Sequence, residues 1–88
     1  MVHYKQNKEV IQSRIGDEIV MLDVESGFYF GLNSVASVIW DMMKVEVDLE
    51  TMVGELMREF DVDKSTCELD TIELLSHMLE KKIIRVVE

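Results

Sequence analysis

The apolar positions change period along the chain, and those changes divide it into elements. From Glu18 to Val24 almost every position is apolar: Ile19, Val20, Met21, Leu22 and Val24, with Asp23 near the end. A short apolar run bounded by turn residues predicts a strand. Gly16-Asp17 before it and Glu25-Ser26-Gly27 after it are turn signals, and Gly27 can supply the positive φ of a tight hairpin. A weaker alternation from Val10 to Ile15 predicts a preceding strand. Phe28 to Leu32, opening with consecutive aromatics that suit a pleated surface, predicts a following one. Strands joined by such short turns form an antiparallel meander, and the local pattern does not say which of its two edges is covered. Residues 1–9 are polar and read as a loose N-terminal tail.

At Asn33-Ser34 the period becomes helical. Val35, Val38, Ile39 and Met42 fall at i, i+3, i+4 and i+7, which predicts a helix over 34–44 capped by Asn33 or Ser34. Gly31, just before this corner, lets the strand bend or admits another backbone closely. Asp48 is the expected N-cap of a second helix carrying Leu49, Met52, Val53, Leu56 and Phe60, with Glu50 in its first turn. Gly54 costs that helix about 1 kcal/mol relative to Ala and suggests a close helix crossing. Asp61-Val62-Asp63 breaks the pattern and reads as a cap and a loop. Ser65 and Glu68 have capping-box spacing for a third helix over 65–82, and Ile83 to Val87 has the composition of a short last strand. The expected fold is α+β and winged helix-turn-helix-like: a three-stranded antiparallel N-terminal sheet, then three helices, in one domain over 1–88.

The third helix carries two apolar stripes. Leu69, Ile72, Leu75 and Leu79 form one that would seat it on a core; Cys67, Thr71, Leu74 and Met78 form a second beside it. Together they exceed the roughly 100° arc that one core contact requires. The second stripe is either covered by the sheet or the first helix, or it walls an apolar groove. Periodicity favours cover.

Composition narrows the function classes. The chain has 88 residues, so its core is thin and leaves no room for a deep enzyme cleft. Hydrophobic content of 48% beside 31% charged residues marks a globular rather than a disordered chain. The net charge of −9 argues against nucleic acid and against an anionic membrane surface. The third helix carries Glu68, Asp70, Glu73 and Glu80 where a DNA reader needs Lys and Arg. A single cysteine, Cys67, excludes an intramolecular disulfide. No signal-peptide core or membrane-length apolar run is present in the sequence, which reads as cytoplasmic.

No residue set assembles catalytic or metal chemistry. His3 and His77 are far apart and have no Cys or His at ligand spacing. His77 falls on the polar side of its helix, and Cys67 in a first turn reads as packing. Asp61-x-Asp63 is too short for a calcium loop. The sequence predicts neither an enzyme nor a cofactor. Its methionines read as core filling, with an adaptable binding surface as the alternative.

The run Phe28-Tyr29-Phe30-Gly31-Leu32-Asn33-Ser34, followed by Ile39-Trp40, resembles the signature of the PqqD-like family, as does Leu74 to Ile84. The resemblance extends from about Val10 to Ile84. It departs at Ala36-Ser37, where the family commonly has Gly, and at Lys82, where Gly often ends the helix. It implies a recognition element for ribosomal precursor peptides, most similar to the free-standing recognition protein of lasso-peptide biosynthesis. A leader peptide would add as a strand to Tyr29, Phe30, Gly31 and Leu32 and lie against Cys67, Thr71, Leu74 and Met78, with Asp70 and Lys81 as rim charges. The implied partners are the precursor, a leader protease and a cyclase. A carrier in pyrroloquinoline quinone biosynthesis is the alternative, and a winged-helix DNA binder a weaker one.

Overall fold

The computed structural model describes residues 1–7 and 10–88. The strands and helices follow in the order β1 (His3–Gln6), β2 (Ile11–Ile15), β3 (Glu18–Asp23), β4 (Phe28–Leu32), α1 (Ser34–Met42), α2 (Leu49–Glu59), α3 (Lys64–Glu80) and β5 (Ile84–Val87). The meander β2-β3-β4 is antiparallel throughout. Gly16, at φ +64°, takes the first position of the two-residue β2–β3 turn, a conformation that penalises residues with a Cβ. The β3–β4 loop is closed by Asp23, whose carboxylate accepts from Ser26 Oγ at 2.7 Å while its carbonyl accepts from Gly27 N–H at 2.8 Å.

The N-terminal segment is not a loose tail. Residues His3–Gln6 pair antiparallel with β5, Tyr4 bridges Val47, and Gln6 Nε2 donates to the Trp40 carbonyl at 2.8 Å. Both partners lie far away in sequence, so a polar strand that is half-buried along its length shows no local signal. Lys8 and Glu9, part of the same expectation, lie outside the described residues.

Both later helices begin on an aspartate. Asp48 Oδ1 accepts from Thr51 N–H at 2.7 Å, and Asp63 Oδ2 accepts from Thr66 N–H at 3.0 Å. The third helix therefore starts at Lys64 on the Asp63 cap and not on the expected Ser65. It ends in a Schellman motif: Lys82 N–H donates to Leu79 O, and Ile83 N–H to Met78 O. Lys82, at φ 62°, occupies the left-handed position that glycine usually fills. The expected close crossing at Gly54 is absent, since a Cβ added there meets nothing within 4 Å.

The core lies between the inner face of the sheet and the helices. Ile19 and Met21 of β3 meet Ile39, Trp40 and Met43, then Met52, Val53 and Leu56 of α2, and Leu75, Met78, Ile83 and Ile84. Trp40 is fully buried, and its Nε1 donates to Gln12 Oε1 at 3.3 Å.

Candidate functional site

Ser37 fixes which side of β4 is open. Its Oγ accepts from Ile19 N–H and donates to the Leu32 carbonyl, both at 3.1 Å, in the buried seam of β3, β4 and α1. The Ile19 N–H thus faces β4, and alternation along an antiparallel ladder does the rest. Ile19, Met21 and Asp23 face β4, and their partners Leu32, Phe30 and Phe28 face back toward β3. Tyr29 and Gly31 therefore direct their N–H and C=O groups to the outer edge. Among the described residues that edge has no strand partner. Nothing lies within 4 Å of a Cβ built on Gly31, so the face of the strand that also carries Tyr29 is open at this position.

The side chains of β4 divide in the complementary way. Phe28, Phe30 and Leu32 lie on the core face and run from exposed through half-buried to buried. Tyr29 lies on the opposite face and is 74% exposed.

The opposing wall is α3, and the structure corrects the reading of its stripes. Cys67, Thr71, Leu75 and Met78 are buried, whereas Leu69 and Ile72, expected to seat the helix, are exposed at 68% and 43%. The helix packs on α2, α1 and β5 together, and its buried side follows the second stripe with Leu75 beside it. Leu74, half-buried, stays at the boundary.

Between α3, the start of α1 and the end of α2 lies a cavity of about 440 Å³. Its lining includes Val35, Ile39, Leu56, Phe60 and Val62 together with Cys67, Thr71 and Leu74, with Asp70, Glu73 and His77 on α3. Of the residues expected at a site, Cys67, Asp70, Thr71 and Leu74 line this cavity, Tyr29 and Gly31 hold the open edge, and Met78 belongs to the core. Lys81 stands at the far end of α3, its Nζ 4.2 Å from the centroid of the Phe28 ring. Sequence reasoning missed the α1 and α2 contributions, although the break at Asp61-Val62-Asp63 marks where Phe60 and Val62 turn into the cavity.

Among the described residues no group of three or more His, Cys, Asp or Glu is arranged to hold a metal ion. Nor is any described helix long and apolar enough to cross a membrane. What the arrangement offers is a pairing edge beside an apolar hollow.

The chain belongs to the family of coenzyme PQQ synthesis protein D (PqqD), whose sequence profile matches residues 18–84. Its fold is similar to that of TbiB1 in complex with the TbiA(beta) leader peptide, at a TM-score of 0.81 and 32% identity, over 92% of this chain and 94% of that one. It also matches lasso peptide synthetase B1 complexed with the leader peptide, at a TM-score of 0.78 and 22% identity over 93% and 96% of the two chains. None of the curated proteins matches this sequence.

Proposed function

We propose that this protein is a non-catalytic leader-peptide-binding element of lasso-peptide biosynthesis. The observation that carries the reading is the open β4 edge beside a cavity with an apolar floor, on a fold similar to that of a 32% identical protein described with a leader peptide. An extended peptide pairs its backbone with Tyr29 and Gly31, which gives affinity tolerant of sequence. Its side chains alternate, so every second one points into the hollow lined by Cys67, Thr71 and Leu74 and supplies selectivity. Asp70 and Lys81 stand at the rim. The bound precursor is then handed to a leader protease, and a cyclase acts on the product, in the cytoplasm.

The family's own description favours a second reading, a peptide carrier in coenzyme PQQ synthesis. The two share the groove and differ in the precursor. The first test is a fluorescence-anisotropy titration with the TbiA(beta) leader peptide beside a PQQ precursor peptide. Saturable binding of the lasso leader, with the PQQ precursor weaker, is expected. The reverse order favours the second reading, and saturable binding to duplex DNA alone overturns both.

A further inference from the structure

We propose that the groove is polar along its length and selects an extended peptide with a cation about four or six residues N-terminal to an anion on the same face, apolar side chains of that face lying between them. This deepens the leader-peptide reading and rests on it.

A bare strand edge carries no direction, because the same N–H and C=O groups of Tyr29 and Gly31 serve a parallel or an antiparallel partner. The walls of this groove do carry one. Asp70 and Glu73 line the cavity at one end, and Lys81 stands over Phe28 at the other. Asp70, Leu74 and Lys81 follow one another on a single flank of α3 at helical spacing, so both charges project along the groove. Neither carboxylate takes part in an ion pair among the described residues, and the Lys81 ammonium rests on a ring. All three charges are therefore free to meet a ligand.

The spacing sets the ligand. From Asp70 to Lys81 the helix rises about 16 Å at 1.5 Å per residue. An extended chain covers that distance in about five residues at 3.3 Å each, and because only every second side chain faces α3, two charges on that face stand about four or six residues apart. Orientation follows from β4, which runs from the Phe28 end toward the cavity. An antiparallel partner, the more stable ladder per residue, runs from the cavity toward Lys81. Its cation then comes first in sequence, against Asp70 and Glu73, and its anion follows, against Lys81. A peptide with the order exchanged meets like charge at both ends.

The test uses two labelled synthetic peptides of identical composition built on alternating Val and Thr. One has Lys about four residues before Glu, so that both fall on one face of the strand, and the other has the two exchanged. Both are titrated by anisotropy beside the TbiA(beta) leader. At low ionic strength the Lys-first peptide is expected to bind about fivefold tighter, an advantage that added salt removes because exposed pairs are screened. In Asp70→Lys/Lys81→Glu the preference reverses, and in Asp70→Asn or Lys81→Met alone it shrinks, with thermal melts confirming that each variant is folded. Equal affinities, or a preference that survives the charge exchange, overturn the polarity while binding of the TbiA(beta) leader keeps the groove. Failure of all three peptides to bind overturns the leader-peptide reading and this inference with it.

Discussion

Ser37 Oγ lies 3.1 Å from the Ile19 nitrogen, and through this one hydroxyl α1 is tied to the strand that backs β4. The same oxygen donates to the Leu32 carbonyl, so a single buried side chain completes the β3–β4 ladder at the corner where the chain turns into a helix. Ser37→Ala leaves a buried N–H and a buried C=O without partners. A loss of about 1–3 kcal/mol in urea-melt stability is expected. Leader affinity, corrected for the folded fraction, should change little, since Ser37 points away from the open edge.

The corrected burial of α3 separates two substitutions that the helical pattern alone would rank the other way. Ile72 is 43% exposed, and Ile72→Glu is expected to alter stability by no more than about 0.5 kcal/mol. Leu75 is 2% exposed, and Leu75→Ala should cost about 2–5 kcal/mol. Thermal melts of the two variants check this. An Ile72→Glu protein that unfolds would return the core to the Leu69 stripe.

The meander was legible because its signals are local: turn glycines, apolar runs and the Asn33 cap all lie within a few residues of what they specify. The same holds for the starts of α1 and α2. Pairing of His3–Gln6 with Ile84–Val87 was not legible, because the strand is polar and its partner lies at the opposite end of the chain. The orientation of α3 was not legible either. A helix with apolar residues on both stripes fits several rotations, and only its simultaneous contact with α2, α1 and β5 selects one. The site was half legible for the same reason. The aromatic strand marks the edge, but the alternation that frees Tyr29 and Gly31 depends on Ser37, a contact between elements.

Lys82 holds a left-handed conformation at φ 62° to complete the Schellman motif after α3. A side chain there is strained by roughly 1 kcal/mol, which glycine does not suffer. Glycine is also the more flexible residue in the unfolded chain, which offsets part of the gain. Lys82→Gly is expected to stabilise the protein by about 0.5 kcal/mol, read as a raised midpoint in urea with an unchanged slope. A lowered midpoint would mean that the Lys82 side chain contributes more than its backbone costs.

The capping aspartates contribute to the acid limb of stability. Hydrogen bonding from the Thr51 hydroxyl and then the Thr51 N–H holds the Asp48 carboxyl below its usual value of 3.8, and the Thr66 N–H and then its hydroxyl do the same for Asp63. Each folded-state pKa is depressed, so each contribution is fully present above the unfolded value and is lost as pH falls through the folded one. Stability should therefore decline from about pH 4 downward. The double variant Asp48→Asn/Asp63→Asn keeps two good caps without the charge. Its urea midpoint should fall less steeply over that range than that of the parent. Parallel acid limbs for the two proteins would contradict the assignment.

Gly31 gives the sharpest separation of folding from binding. Its N–H faces the open edge, whereas the N–H of Phe30 faces β3 across the Met21–Phe30 pair. Proline is tolerated on an edge strand where its missing donor would have pointed outward, and is disruptive where the donor belongs to the ladder. Gly31→Pro is therefore expected to stay folded and to lose leader binding, because it removes one donor from the edge and places a ring where the peptide backbone must approach. Phe30→Pro should unfold the sheet. Gly31→Ala should keep the stability of the parent, since nothing lies within 4 Å of the added Cβ. Circular-dichroism melts run beside anisotropy titrations with the TbiA(beta) leader read both quantities on the same samples. A Gly31→Pro protein that binds as well as the parent would move the peptide off the β4 edge and onto the cavity alone.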